Sequence, residues 1–121
     1  MGNAKKVLII DDEKDYASVL KDRLEFEGYE ASVAFDGSSG ITAIEKFQPD
    51  VILLDIMMPA MDGFTLAKEL QHRSSSVPII FVTAFGREPN EDQKKTIGRS
   101  PFITKPFEMN DLMEAIRKCS P

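Results

Sequence analysis

The chain has 121 residues, 42% hydrophobic and 29% charged, which is an ordinary composition for one globular domain. Its net charge of −5 argues against nucleic-acid binding by the domain, because such binding needs a basic surface. The single cysteine, Cys119, excludes a disulfide framework, and no apolar run reaches the roughly 18 residues of a membrane span. We therefore expect one cytoplasmic domain over residues 1–121, with its core at about 5–118 and without membrane contact.

Short apolar runs alternate with amphipathic stretches along the chain. The predicted strands cover residues 6–10, 30–34, 51–54, 77–82 and 101–104. The predicted helices cover residues 14–27, a segment through Ile41, Ile44 and Phe47 after a turn at Asp36-Gly37, and residues 64–73, 91–97 and 111–119. The third strand is apolar throughout, a pattern typical of a strand covered on both faces. Five βα units of this kind predict an α/β fold with a parallel sheet between helices.

Four predicted helices carry an apolar stripe, and on the second it consists of Ile41, Ile44 and Phe47. The inward positions are Tyr16, Val19, Leu20 and Leu24 on the first, Leu66, Ala67 and Leu70 on the third, and Leu112, Met113 and Ile116 on the last. Gly28 is expected to end the first helix, and Asn110 is the predicted N-cap of the last. The helix at residues 91–97 lacks such a stripe and is expected to be weakly anchored, with Gly98 at its end.

Polar side chains stand at the ends of four predicted strands. Asp11 and Asp12 follow the first strand, Asp55 the third, Thr83 ends the fourth and Lys105 the fifth. In a parallel sheet these ends share one rim, where ligands bind. Three carboxylates and one ammonium leave a net charge of −2, and this charge with an all-oxygen donor set predicts a divalent cation such as Mg²⁺. A carboxylate beside a metal, a lysine and a hydroxyl favours phosphoryl transfer to Asp55.

Each of these residues also has an ordinary structural interpretation. The pair Asp11-Asp12 could be a turn or a helix cap, and Asp55 could be a buried ion-pair partner of Lys105. Thr83 could be a hydroxyl bonded to the backbone. The functional interpretation rests on their coincidence at the ends of different strands, and sequence spacing alone does not show that they meet.

The sequence resembles the receiver domains of response regulators, the phospho-accepting half of two-component signalling. The resemblance covers about residues 5–118 and rests on the segments VLIIDDE, ILLDIMMPAMDG, FVTA and ITKPF, which are highly specific in this order. It implies a flavodoxin-like fold, a three-layer sandwich whose five-stranded parallel sheet has the order 2-1-3-4-5.

The resemblance also implies a phospho-acceptor and a metal site. Asp55 would take a phosphoryl group from a phosphohistidine on a sensor histidine kinase or a histidine phosphotransfer protein. Asp12 would bind Mg²⁺ directly and Asp11 mainly through water, with Asp55 and the backbone carbonyl of Met57 as further ligands. Mn²⁺ is the expected substitute ion.

Further residues would convert phosphorylation into a change of conformation. Thr83 and Lys105 would contact the phosphoryl group, and Phe102 stands where receivers carry a switch aromatic, often a tyrosine. The cis peptide bond of receivers would fall at Lys105-Pro106. The approach to the fifth strand, IGRSPFITKPF, departs from the acidic turn of many receivers, and with the polar fourth helix it predicts an altered output face.

Three rival functions fit the residues less well. A pseudo-receiver, which binds partners without phosphate, would lack part of a set that is complete here. A phosphatase of the haloacid-dehalogenase type needs a second aspartate where Met57 stands. A flavodoxin-like cofactor binder needs a phosphate cradle where the acidic segment at residues 11–13 would repel phosphate. We expect a switch that catalyses its own phosphorylation and is not a turnover enzyme. Its output partner, and any phosphorylation-dependent dimer, stay open.

Overall fold

Strands alternate with helices through the described part of the chain. The computed structural model describes residues 5–56, 63–73, 77–84, 90–98 and 100–119. The strands are β1 (Lys6–Ile10), β2 (Glu30–Ala34), β3 (Val51–Asp55), β4 (Ile79–Ala84) and β5 (Phe102–Lys105). The helices are α1 (Lys14–Phe26), α2 (Gly37–Phe47), α3 (Gly63–Arg73), α4 (Glu91–Ile97) and α5 (Met109–Cys119). Within these residues, no helix has the length and apolar character needed to cross a membrane.

The five strands form one parallel sheet in the order β2-β1-β3-β4-β5. At the carboxyl end of β1, Ile10 stands opposite Ala34 of β2 and Leu54 of β3. The chain leaves β1 towards β2 but leaves β3 towards β4, so the order reverses between β1 and β3. A reversal of this kind opens a crevice at the carboxyl ends of the two strands. The predicted α/β fold and strand order are therefore confirmed.

β3 is buried at every position because its side chains alternate between two core clusters. Ile52 and Leu54 pack with residues of α2 and α3 on one face of the sheet. Val51 and Leu53 pack with residues of α1 and α5 on the other. The continuous apolar run that leads into Asp55 is thus explained by helices on both faces.

The buried face of α1 differs from the predicted stripe. Ala17, Leu20 and Leu24 are buried, whereas Val19 is 60% exposed. Val19 and Leu20 are separated by 100° around the helix axis, so only one of them can point directly at the sheet. The prediction that Val19 faces the core was wrong. Helix α1 ends where it was expected to, because Gly28 follows it with a φ of +97°, a conformation that favours glycine.

Three local predictions also require correction. β4 begins at Ile79, two residues later than expected, and the preceding Pro78 contributes only its carbonyl, which accepts a hydrogen bond from Ile52. Asp36 does not form a separate turn; it is the N-cap of α2, and its carboxylate accepts the backbone N–H of Ser39 at 2.7 Å. Asn110 lies inside α5, which begins at Met109, and is not its N-cap.

Candidate functional site

The carboxyl ends of four strands bring the predicted site residues to one rim of the sheet. Asp11 directly follows β1, Asp55 ends β3, Thr83 is the penultimate residue of β4 and Lys105 ends β5. Asp11, Asp55 and Thr83 are only 3%, 5% and 2% exposed. Carboxylates this buried are rare in proteins unless they are paired, so the question is what compensates their charge.

The ammonium of Lys105 bridges the two buried carboxylates. Its Nζ lies 2.8 Å from Oδ2 of Asp11 and 3.3 Å from Oδ2 of Asp55, with a third carboxylate oxygen, Oε1 of Glu13, at 3.4 Å. The other oxygen of Asp11, Oδ1, accepts the backbone N–H of Glu13 at 2.9 Å. The structure therefore joins β1, β3 and β5 through one lysine, as their shared rim led us to expect.

The electrostatics of this cluster follow from burial and from mutual contact. Burial raises the pKa of Asp11; hydrogen bonds from Lys105 and from the backbone of Glu13 oppose this rise, and the charge of Asp55 adds to it. Burial alone would lower the pKa of Lys105, but its hydrogen bond to Asp11 and the charge of Asp55 outweigh burial, so that this pKa is raised. Lys105 therefore remains a cation at neutral pH.

The acidic cluster has the donor chemistry of a site for a hard cation. Asp11, Asp12 and Asp55 each offer a carboxylate oxygen, and these oxygens lie within 4.8 Å of one another. Three carboxylates with the single ammonium of Lys105 carry a nominal charge of −2, and oxygen donors suit Mg²⁺ or a similar ion. The backbone carbonyl of Met57, which the resemblance adds to this set, lies outside the described residues.

One aromatic ring lies against the ammonium and a second packs on the first, and the sequence analysis assigned neither to the site. Lys105 Nζ lies over the ring of Tyr16, 4.2 Å from its centroid. The ring of Phe107 meets that of Tyr16 edge to face, with centroids 6.3 Å apart and an interplanar angle of 89°. No sequence period links these rings to the site, because Tyr16 belongs to α1 and Phe107 follows β5, about 90 residues further along the chain.

The predicted switch aromatic lies away from the rim. Phe102 begins β5, opposite Phe81 of β4, whereas Lys105 ends the strand. The side chain of Phe102 is 37% exposed, so it reaches the molecular surface. The peptide bond that follows β5, Lys105-Pro106, is cis.

Comparison with known proteins assigns the chain to a family. A family model described as the response regulator receiver domain matches residues 7–117. The chain belongs to the response regulator receiver domain family. As a receiver domain it is a regulatory signalling domain, and the family implies a phospho-acceptor switch.

Solved receiver domains have the same fold. The receiver domain of the Francisella response regulator 1452 is 33% identical, with a TM-score of 0.81 and 95% of each chain covered. A CheY-like receiver domain protein from Methanospirillum hungatei is 31% identical, with a TM-score of 0.85 over 95% of this chain and 92% of that one. The response regulator TrrA from Thermotoga maritima, solved in complex with Mg²⁺ and BeF, is 28% identical, with a TM-score of 0.83 over 95% and 98% of the two chains.

Proposed function

We propose that Asp55 of this receiver domain accepts a phosphoryl group from the phosphohistidine of a sensor histidine kinase or a histidine phosphotransfer protein. The observation that carries the proposal is the ammonium of Lys105, which lies within hydrogen-bonding distance of both Asp11 and Asp55. A buried carboxylate at the end of an apolar strand is costly unless it is compensated. The same cation would also contact a phosphoryl group that arrives at Asp55.

The residues of the rim divide the work of the transfer. A carboxylate oxygen of Asp55 attacks phosphorus, the P–N bond of the phosphohistidine breaks, and the imidazole leaves with its electron pair and takes up a proton. Lys105 and the hydroxyl of Thr83 donate hydrogen bonds to the phosphoryl oxygens, which carry the charge of the transition state. The domain thus catalyses its own phosphorylation and does not turn over a separate substrate.

We propose that the reaction depends on Mg²⁺, with Mn²⁺ as a substitute. Asp11, Asp12 and Asp55 would hold the ion, together with the backbone carbonyl of Met57, which lies outside the described residues. When bound, the ion would offset the negative charge of the carboxylates and of the phosphoryl oxygens. The oxygen-only donor set and the nominal charge of −2 support this assignment.

Phosphorylation of Asp55 is proposed to shift the domain between two conformations. The side chain of Thr83 would move to contact the phosphoryl group. Phe102, the exposed first residue of β5, would change its orientation towards an output partner. The partner is a protein or an output domain and not a nucleic acid, because the chain has a net charge of −5. We further propose that residues 1–121 form one receiver domain and that it acts in the cytoplasm. Phosphorylation-dependent dimerisation is one form that the output can take.

Intact-mass measurement after incubation with acetyl phosphate tests the proposal. The wild-type chain is expected to gain one phosphoryl group with Mg²⁺ and none with a chelator present. Asp55→Asn should gain none, whereas the control Asp22→Asn, an exposed aspartate of α1, should behave like the wild type. A wild type that takes up no phosphoryl group under any condition would instead support the alternative, a pseudo-receiver that binds its partners without phosphate.

A further inference from the structure

The ring of Tyr16 makes a close contact with the lysine of the site. Lys105 Nζ lies 4.2 Å from the ring centroid, well inside the limit of about 6 Å for a cation–π interaction. The Lys105 side chain is only 15% exposed, so little water competes with the ring for the ammonium. A cation–π contact gains strength when the cation is removed from water, as the Lys105 ammonium is here.

Two other contacts of this type in the described residues provide a scale. Lys6 Nζ over Phe47 and Lys14 Nζ over Phe35 both lie 5.5 Å from their ring centroids. The contact of Tyr16 with Lys105 is therefore shorter by more than 1 Å. Among the three lysines, Lys105 is the one that also donates a hydrogen bond to Asp55, the proposed phospho-acceptor.

Packing restrains the ring of Tyr16 in this position. Phe107 contacts it edge to face, and α1 holds its backbone. The space beside the two rings and the buried carboxylates is a cavity of about 10 Å³, which is at the lower limit for a single water molecule. The ring therefore has little room to turn inward, and the ammonium above it lies on the side of Asp11 and Asp55.

We propose that Tyr16 is a positioning residue for Lys105, in which the face of the aromatic ring holds the ammonium towards Asp11 and Asp55 and so increases the rate at which Asp55 accepts a phosphoryl group. The ring is the active part, and the hydroxyl is not required. The effect on rate rests on the proposed function of Asp55, whereas the effect on the orientation of Lys105 does not.

The orientation is tested by NMR of the metal-free protein. In the wild type, the Hε and Hζ protons of Lys105 should be shifted upfield by the ring current of Tyr16. Tyr16→Phe should keep this shift, and Tyr16→Leu should lose it. Tyr29→Leu is the matched control, because Tyr29 is half-buried against the same core cluster but lies beyond the far end of α1, and it should leave the Lys105 signals unchanged.

The rate is tested with acetyl phosphate and Mg²⁺ on the same variants. Tyr16→Phe and Tyr29→Leu should be phosphorylated at the wild-type rate within about twofold. Tyr16→Leu should be slower by about fivefold to thirtyfold, the upper value being the factor that corresponds to the full strength of a desolvated cation–π contact. Tyr16→Met, which fills the same space with a flexible apolar side chain, gives the same test if the leucine variant does not fold.

The outcomes separate the two proposals. Unshifted Lys105 protons in the wild type, or a Tyr16→Phe variant as slow as Tyr16→Leu, would overturn the role of the ring. Rates of Tyr16→Leu and Tyr16→Met equal to that of the wild type would overturn its effect on catalysis. A wild type that shows the ring-current shift but takes up no phosphoryl group would refute the proposed function while keeping the orientation of Lys105.

Discussion

Lys105 is the residue whose loss should most change the metal-free protein. Its Nζ bonds Asp11 and Asp55, whose side chains are only 4% and 7% exposed. Lys105→Met keeps the length of the side chain but leaves the two carboxylates without their ammonium. Removing one partner of a buried ion pair costs about 3 to 5 kcal/mol of unfolding free energy. We expect the lower end, about 3 kcal/mol, because Asp11, whose pKa burial already raises, can relieve the repulsion by taking up a proton.

Thermal unfolding measured by circular dichroism in the presence of a chelator gives the first readout. For a chain of 121 residues, 1 kcal/mol corresponds to a change of about 4 °C in Tm. Lys105→Met should therefore melt about 12 °C below the wild type. Lys118→Met is the control, because Lys118 is 73% exposed and pairs within α5 with Glu114, which is also exposed. Its free energy of unfolding should change by no more than about 0.5 kcal/mol.

Added Mg²⁺ gives the second readout. Without the ammonium, the nominal charge of the site falls from −2 (three carboxylates and Lys105) to −3 (the carboxylates alone), so a divalent cation should bind the variant more tightly. A ligand at about 100 times its Kd stabilises the folded state by about 2.7 kcal/mol, which would restore most of the loss. Mg²⁺ should thus raise the Tm of Lys105→Met more than that of the wild type. Equal melting in chelator, or equal Mg²⁺ shifts in the two proteins, would refute the view that Lys105 is the counter-ion of this cluster.

Substitutions away from the rim test three further features of the structure by urea unfolding. The carboxylate of Asp36 accepts a backbone N–H at the start of α2, and this hydrogen bond lowers the pKa of Asp36. The hydrogen bond therefore stabilises the fold above the unfolded-state pKa, and this stabilisation is lost as the pH falls through the folded-state pKa. Asp36→Ala should therefore destabilise the protein at about pH 7, and a loss that persists undiminished near pH 2 would contradict this. A Cβ on Gly40 would lie 2.9 Å from Cδ1 of Ile10, an atom that valine lacks. Gly40→Ala should therefore cost about 1 kcal/mol less in an Ile10→Val background than in the wild type. A double-mutant cycle that shows no coupling between the two positions would argue against the clash. Val19 is exposed and Leu24 is buried, so Val19→Ser should change the free energy of unfolding by less than about 0.5 kcal/mol, whereas Leu24→Ala should lower it by about 2 to 5 kcal/mol. Similar costs for the two substitutions would show that Val19 is a core residue.

The fold was predictable because its main signals are local in sequence. The uninterrupted apolar run at residues 51–54 indicated a strand covered on both faces, and the structure buries it between two core clusters. Gly28 and Gly98, both at positive φ, end their helices as expected. Once the strands are taken as parallel, their carboxyl ends share one rim, so the meeting of Asp11, Asp55 and Lys105 follows from topology without any knowledge of distances.

Other features depended on packing that a single sequence does not contain. A helical stripe does not decide which of two neighbouring positions faces the sheet, so Val19 was placed inward together with Leu20, and the buried Ala17 was missed. The contact of Tyr16 with Lys105 joins α1 to the end of β5, and its spacing carries no period that a sequence pattern could show. Tyr16 could be read only as a core residue, although it lies against the charge at the centre of the site.

The two contacts of Lys105 also bear on how metal and phosphoryl group would influence each other. Its Nζ is closer to Asp11, at 2.8 Å, than to Asp55, at 3.3 Å, so the ammonium mainly compensates a residue proposed to hold the cation. A phosphoryl group on Asp55 would need that same ammonium. A cation beside Asp11 would release Lys105 to contact the phosphoryl group, and a phosphoryl group would give Lys105 a new partner when the cation takes its place at Asp11. Each ligand would therefore make the binding of the other more favourable. Binding equilibria are reciprocal, so whatever factor Mg²⁺ contributes to the affinity for a phosphoryl analogue, the analogue must contribute equally to the affinity for Mg²⁺.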